Sequence, residues 1–153
     1  LNNQGFLRVS MAKIKVAASS SVPKSKAPIS HAVGRRKSAV ARVYLHNGDG
    51  QIMVNGKDFA TYFDTDISRL DASVPFRVLP GLGYNVMANI RGGGLPAQAD
   101  ALSLATARAM VLVDETLRIA LRKHNLLTCD SRLKERKKYG QKAARRKFQF
   151  VKR

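Results

Sequence analysis

Tyr84-Asn85-Val86-Met87-Ala88-Asn89-Ile90, continued by Arg91-Gly92-Gly93-Gly94-Leu95-Pro96, is the stretch that decides the fold. Tyr84, Val86, Ala88 and Ile90 alternate with Asn85, Met87, Asn89 and Arg91. A period of two with one apolar side reads as a strand buried on one face. Three glycines end it, and Pro96 suits the first turn of a helix, where its missing N–H costs nothing. The helical pattern then runs to about Val113, with Leu102, Ala105, Ala109 and Leu112 as the predicted core stripe. A strand fed into a helix by a glycine turn makes this a mixed α and β chain.

Working upstream, Ala39, Ala41, Val43 and Leu45 share one side of a second predicted strand over 38–46. Asn47-Gly48-Asp49-Gly50 holds two favoured turn dipeptides, and Ile52 and Val54 follow. The spacing predicts a β-hairpin over 38–54. Asn55-Gly56 breaks it, and Asp58 is placed to cap a helix that puts Phe59, Tyr62 and Phe63 on one face. Pro75, Pro80, Gly81 and Gly83 punctuate residues 64–83, which read as a short helix or an irregular segment. Downstream, a second helix starts near Asp114 with Leu117, Ala120, Leu121 and His124 on one face. Arg122 and Lys123 in its last turn suit the negative end of the helix dipole.

Charge divides the chain into three parts. The net charge is +18 over 153 residues. Residues 1–45 carry 9 basic and 0 acidic side chains, residues 46–130 carry 8 and 9, and residues 131–153 carry 11 and 1. A near-neutral middle can fold without repelling itself, whereas the two ends need an anion. A phosphate polymer supplies one, because release of its condensed counterions drives binding. The expected organisation is a basic low-complexity extension over 1–33, a globular core over 34–129 and an extended basic tail over 130–153. In the tail, Leu133, Tyr139, Phe148 and Phe150 are too sparse to fold alone. Fully extended, it reaches about 75 Å. The Ser- and Ala-rich extension reads either as an organelle transit peptide or as a basic arm for RNA. Met11, followed by Ala-Lys-Ile-Lys, is a candidate start.

The residue inventory argues against chemistry. Cys129 is the single cysteine, so no internal disulfide or cysteine-based zinc site is expected, and a lone thiol fits a reducing compartment. His31, His46 and His124 are scattered. His124 is expected to be a packed core or boundary residue, and Asp114-Glu115 a dipole-complementing pair rather than an acid/base pair. Gly92–Gly94 lacks both the dinucleotide and the P-loop spacing. No apolar run approaches a membrane span. Neither an enzyme activity, a cofactor nor a metal is expected.

The expected partner is a phosphate polymer, with RNA the favoured one. The glycine turn lets a phosphate backbone approach closely. The tail offers Arg and Lys for phosphates and Tyr139, Phe148 and Phe150 for stacking on unpaired bases. The alternative is that these aromatics dock on the protein's own core.

Ordered blocks then carry a resemblance. Gly34-Arg35-Arg36-Lys37-Ser38-Ala39-Val40-Ala41-Arg42-Val43, Asn55-Gly56-Lys57-Asp58-Phe59 to Tyr62-Phe63, and Gly92-Gly93-Gly94-Leu95 with Gln98-Ala99 are three of them. The fourth runs from Glu135-Arg136-Lys137-Lys138-Tyr139-Gly140 through Lys142-Ala143-Ala144-Arg145-Arg146 and Phe148-Gln149-Phe150 to Lys152-Arg153. Together they resemble the small-subunit ribosomal protein nine family, bacterial or organellar type, over about residues 34–153. The resemblance implies an α+β two-layer sandwich like the second domain of small-subunit ribosomal protein five, with a left-handed βαβ crossover. It implies a structural role in the head of the small subunit, in a bacterial cytoplasm or an organelle, with neighbouring head proteins as partners. It implies rRNA contacts from Arg35, Arg36, Lys37, Arg91, Gly92, Gly93 and Gly94. In the tail it implies them from Arg132, Lys134, Arg136, Lys137, Lys138, Tyr139, Lys142, Arg145, Arg146 and Lys147. Lys152 and Arg153 would reach the anticodon stem-loop of P-site tRNA. Ser103-Leu104 stand where the family usually has Arg-His, Cys129 where it has Arg, and Val151 where it has Ser. Two rivals stay open: a protein subunit of ribonuclease P, and an architectural DNA-binding protein with minor-groove arms.

Overall fold

The computed structural model describes residues 27–150. Strand β1 spans Ser30–Arg36, β2 Ala39–Asn47, β3 Ile52–Val54, β4 Lys57–Asp58 and β5 Tyr84–Arg91. Helix α1 spans Phe59–Tyr62, α2 Asp66–Val78, α3 Leu95–Val113 and α4 Arg118–Lys123. The five strands form one sheet in the order β1-β2-β5-β3-β4. β5 is its middle strand, antiparallel to β2 and parallel to β3. Val86, Ala88 and Ile90 of β5 are buried, as the alternation predicts. Ala39, Ala41, Val43 and Leu45 of β2 lie on the same buried face.

The hairpin expected over 38–54 does not form. β2 and β3 are both present, but β5 lies between them. The Asn47–Gly50 segment instead wraps the start of β5. Asn85 Oδ1 accepts from the backbone N–H of Gly50 at 3.0 Å and of Gln51 at 2.8 Å, and Gly48 N–H donates to Gly83 O at 3.0 Å. A strand apolar on one face and central in the sheet satisfies two ladders, which a terminal position would not. The true hairpin partner of β2 is β1, through a two-residue turn at Lys37-Ser38 with Lys37 at φ +53°. β1 starts at Ser30, four residues before the expected start of order at Gly34. Its inward residues, Ala32 and Gly34, are too small to advertise a strand.

Where β3 ends, Asn55 continues the ladder with its side chain. Its Oδ1 accepts from Ile90 N–H at 2.9 Å and its Nδ2 donates to Ile90 O at 3.0 Å. Asp58 caps α1 as expected, accepting from Ala60 N–H at 3.1 Å. Phe63 is fully buried, with Phe59 and Tyr62 edge-on to its ring. Of the two readings of 64–83, a short helix or an irregular segment, the structure shows the helix, continuous over Asp66–Val78 and 13 residues long. Pro75 sits inside it with its ring buried, so packing offsets the lost N–H.

α3 is buried nearly all round, as a helix enclosed on several sides must be. Leu102, Ala105 and Ala109 face the core as predicted, but Leu112 is two-thirds exposed. His124 is also exposed, as the C-cap of α4, and is not the packed residue expected. Helices cover one face of the sheet, and α3 lies against β1, β2 and β5. The approach to β1 is close enough to exclude a side chain. A Cβ on Gly34 would lie 2.2 Å from Ala101 O and 2.6 Å from Ala105 N. Gly34→Ala is therefore expected to lower stability by about 1–3 kcal/mol. Thermal unfolding of the two proteins checks this, and an unchanged midpoint would show that the helix can move away at no cost.

Candidate nucleic-acid interface

The predicted contact residues of the core converge at one end of the sheet. In the ladder, Arg35 on β1 pairs with Val40 on β2, and Val40 with Arg91 on β5. The row continues into Lys37 at the β1–β2 turn and Gly92–Gly94 at the β5–α3 turn. Arg35, Lys37, Arg91 and the three glycines are all exposed. Gly92 and Gly93 have φ of +76° and +69°. A Cβ on Gly92 would meet Ser38 O at 2.4 Å, and one on Gly93 would meet Ala39 Cβ at 2.9 Å. Two of the three glycines are thus required by packing against the start of β2, and Gly94 alone is free of such contact. Gln98 braces the turn, donating from Nε2 to Gly92 O at 3.0 Å and accepting from Tyr62 Oη at 2.8 Å.

Arg36 differs from its neighbours. Its side chain is only 14% exposed, and its guanidinium faces Asp100 at 3.2 Å and Asp130 at 3.0 Å. It also donates to the carbonyls of Asp130 at 3.2 Å and Arg132 at 3.4 Å. These donors join the end of β1 to α3 and to the first residues of the tail. Two more side chains clip the same segment. Arg108 Nη1 donates to Val33 O at 3.0 Å while its Nη2 reaches Leu127 O at 3.4 Å. Cys129 Sγ lies 3.0 Å from Arg35 O. Asp130 is held well below the usual carboxylate range, first by the Arg132 guanidinium, then by the Arg132 backbone N–H, with the charges of Arg132 and Arg36 adding to it.

Beyond Arg132 the tail is irregular to residue 150 and exposed except at the half-buried Gln141 and Ala144. Glu135, the one acid of residues 131–153, receives Lys138 at 2.6 Å and Arg145 at 2.7 Å. Hydrogen bonds from Lys138 and from Arg145 hold its carboxyl below the ordinary range. The segment between them turns at Gly140, φ +70°, and Lys142 N–H donates to Arg146 O at 2.8 Å. Among the described residues, Lys134, Arg136, Lys137, Lys142, Arg146 and Lys147 form no ion pair. Tyr139, Phe148 and Phe150 are exposed, so none of them docks on the core. Lys152 and Arg153, like Met11 and the rest of residues 1–26, lie outside the described residues.

The resemblance implies one role for Arg35, Arg36 and Lys37, whereas the structure separates Arg36 from the other two. Strand alternation held the signal, since Arg36 stands on the side of Gly34 and Ala32. Arg42, exposed on β2, is a further cation of this sheet that is not among the residues the resemblance implies.

A core that presents exposed cations on one sheet end and carries an open basic arm defines a class of small basic proteins; among the described residues no cluster of His, Cys, Asp or Glu that could hold a metal ion is gathered. Comparison with known proteins narrows this: the chain belongs to the family of ribosomal protein S9/S16, whose model matches residues 34–153. That is a family of ribosomal structural proteins and not of enzymes. The chain is 49% identical over 124 residues to the small ribosomal subunit protein uS9 of Cytophaga hutchinsonii, covering 80% of this chain and 97% of that one. It is 50% identical over 124 residues to uS9 of Christiangramia forsetii, with the same coverage. For uS9 of Chlorobaculum tepidum the values are 48% over 122 residues, 79% of this chain and 95% of the relative. No helix among the described residues is long and apolar enough to cross a membrane.

Removal of the Arg36 guanidinium should free the root of the tail. Arg36→Ala is expected to leave the far-ultraviolet circular dichroism of the core intact and to speed trypsin cleavage after Arg132 several-fold. Unchanged cleavage would mean that the Arg108 and Cys129 contacts hold the segment by themselves.

Proposed function

We propose that the chain is a structural constituent of the small ribosomal subunit, bound to its rRNA by the basic sheet end and the tail. The carrying observation is the segregation of charge: a packed core over 34–129 with 12 basic against 8 acidic side chains, and an exposed arm whose cations have almost no acid of their own. Relatives about half identical over four-fifths of the chain bear the name of a small-subunit protein. In this reading Arg35, Lys37, Arg91 and Gly92–Gly94 meet rRNA backbone. Arg132, Lys134, Arg136, Lys137, Lys138, Lys142, Arg145, Arg146 and Lys147 follow along the arm, with Tyr139 stacking on a base. Arg36 acts one step back, by aiming the arm. Lys152 and Arg153 close the arm on the anticodon stem-loop of P-site tRNA, and neighbouring proteins of the subunit head pack around the core. The fold reading goes further in the same direction. β3 and β5 are parallel neighbours joined through β4, α1 and α2, an arrangement in keeping with the left-handed βαβ crossover that the resemblance implies.

Two measurements test the proposal. With Lys134, Arg136, Lys137, Lys142, Arg146 and Lys147 replaced by glutamine, the log–log salt dependence of rRNA binding should flatten by about 4 to 5, at −0.7 to −0.9 per phosphate. An unchanged slope would place the RNA elsewhere. Deleting Lys152 and Arg153 should weaken P-site tRNA binding on reconstituted subunits while assembly proceeds; equal tRNA affinity would remove the tRNA role and leave the rRNA role standing.

A further inference from the structure

The sheet has a second face, turned away from α3. His31 on β1 and Tyr44 on β2 are direct cross-strand partners there, with ring centroids 4.8 Å apart and planes tilted by 30°. His31 is exposed and Tyr44 half-buried. Met87 on β5 continues the row opposite Tyr44 and is 37% exposed, and Met53 on β3 follows it. The row therefore runs ring, ring, thioether, thioether across four strands. The adjoining row is Val33, Arg42 and Asn89, and the one beyond it Arg35, Val40 and Arg91.

Strands β1, β2, β3 and β5 contain no aspartate or glutamate. The acid nearest in register is Asp58 on β4, opposite Met53, and its carboxylate is engaged in capping α1. The next along the chain is Asp49, in the loop after β2.

A cross-strand aromatic pair can serve the sheet alone. This one has Arg42 in the adjoining row and Arg35 and Arg91 in the row beyond, with no acid among their strands; Arg35 alone also lines a cleft with Asp100 and Asp130, and the excess of positive charge favours an anionic occupant. The chain's own residues 1–26 are a poor fit, because they carry only basic charges. Flat rings on an open sheet, flanked by guanidinium groups, match an unpaired nucleotide: a π-face for the base and forked donors for its phosphates. Duplex RNA cannot use such a surface, since its bases are stacked within the helix.

We propose that this face is a stacking platform for single-stranded RNA, with a base lying on the His31–Tyr44 pair and against Met87, and with Arg42 on a flanking phosphate. The platform rests on the rRNA-binding reading above and adds to it a site that takes a base rather than a backbone. It is separate from the tail, so the two can fail independently.

The chain has no tryptophan, so a full-length Tyr44→Trp protein carries a single indole reporter. Its emission should be quenched by a mixed-sequence single-stranded RNA oligonucleotide. A duplex of equal charge should bind through the tail, seen as rising anisotropy of the labelled RNA, without quenching. In the otherwise native chain, Tyr44→Ala should weaken single-strand binding roughly ten-fold, with Tyr44→Phe close to native affinity. Photocrosslinking of the unaltered protein, with the attached peptide identified by mass, gives a readout free of any folding defect; a nucleotide on His31 or Tyr44 is expected. Oligonucleotide binding with unchanged indole emission and crosslinks confined to 131–153 would overturn the platform and leave the RNA-binding reading intact. Absence of RNA binding altogether would overturn both. In the assembled subunit, crosslinks from Tyr44 to another protein would overturn the platform by giving the face a protein occupant.

Discussion

The approach of β1 to α3 at Gly34 is the contact that the rest of the molecule depends on. With no Cβ at that position, the strand backbone settles directly against Ala101 and Ala105. Ser30 donates to Ala109 O at 2.9 Å further along the same pair, and Arg108 reaches back to Val33 O. β1 is an edge strand, so this helix is what holds it in place beyond its single ladder. Once β1 is fixed, its last residues set both the exposed cationic row and the buried Arg36. The small residues of α3 are thus not a weak core. They set the distance at which the sheet end and the tail can be joined.

Charge is handled differently on the two sides of that joint. Within the core over 34–129, 8 acidic side chains stand against 12 basic ones, and the mostly buried Arg36 is paired twice. A guanidinium removed from water must be paired in this way, because its desolvation is costly. Beyond Arg132 the acids dwindle to Glu135, and most cations face solvent without partners. Core and arm therefore obey opposite rules, and Asp130 marks where one gives way to the other.

Much of this was legible in the sequence, and the misses have definite causes. β5, the glycine turn and the extent of α3 were readable because alternation, glycines and Pro96 agree locally. The division of charge was readable by counting. The hairpin over 38–54 failed because two strands joined by a favourable turn need not be neighbours: β5 arrives some 30 residues later and takes the place between them. β1 was hidden because Ala32 and Gly34 are inward residues without hydrophobic weight. α2 was obscured in part by Pro75, a breaker in the usual reading, here inserted into the core. Arg36 looked like its neighbours because adjacency in sequence carries no information about which face of a strand a side chain takes.

The central position of β5 also fixes an order in time. β1 and β2 are adjacent in sequence and can close their hairpin as soon as both exist. β3 cannot, because its one long-range ladder is with a strand made after α1 and α2, and its pairing with β4 covers only two residues. Residues 52–58 therefore emerge from synthesis with their edge unsatisfied, and they stay so until residue 91 has been added. The half-sheet that waits is the one without the arginines. Arg35, Lys37 and Arg42 of the local β1–β2 hairpin thus precede in synthesis both β5 and the helix α3 that fixes β1.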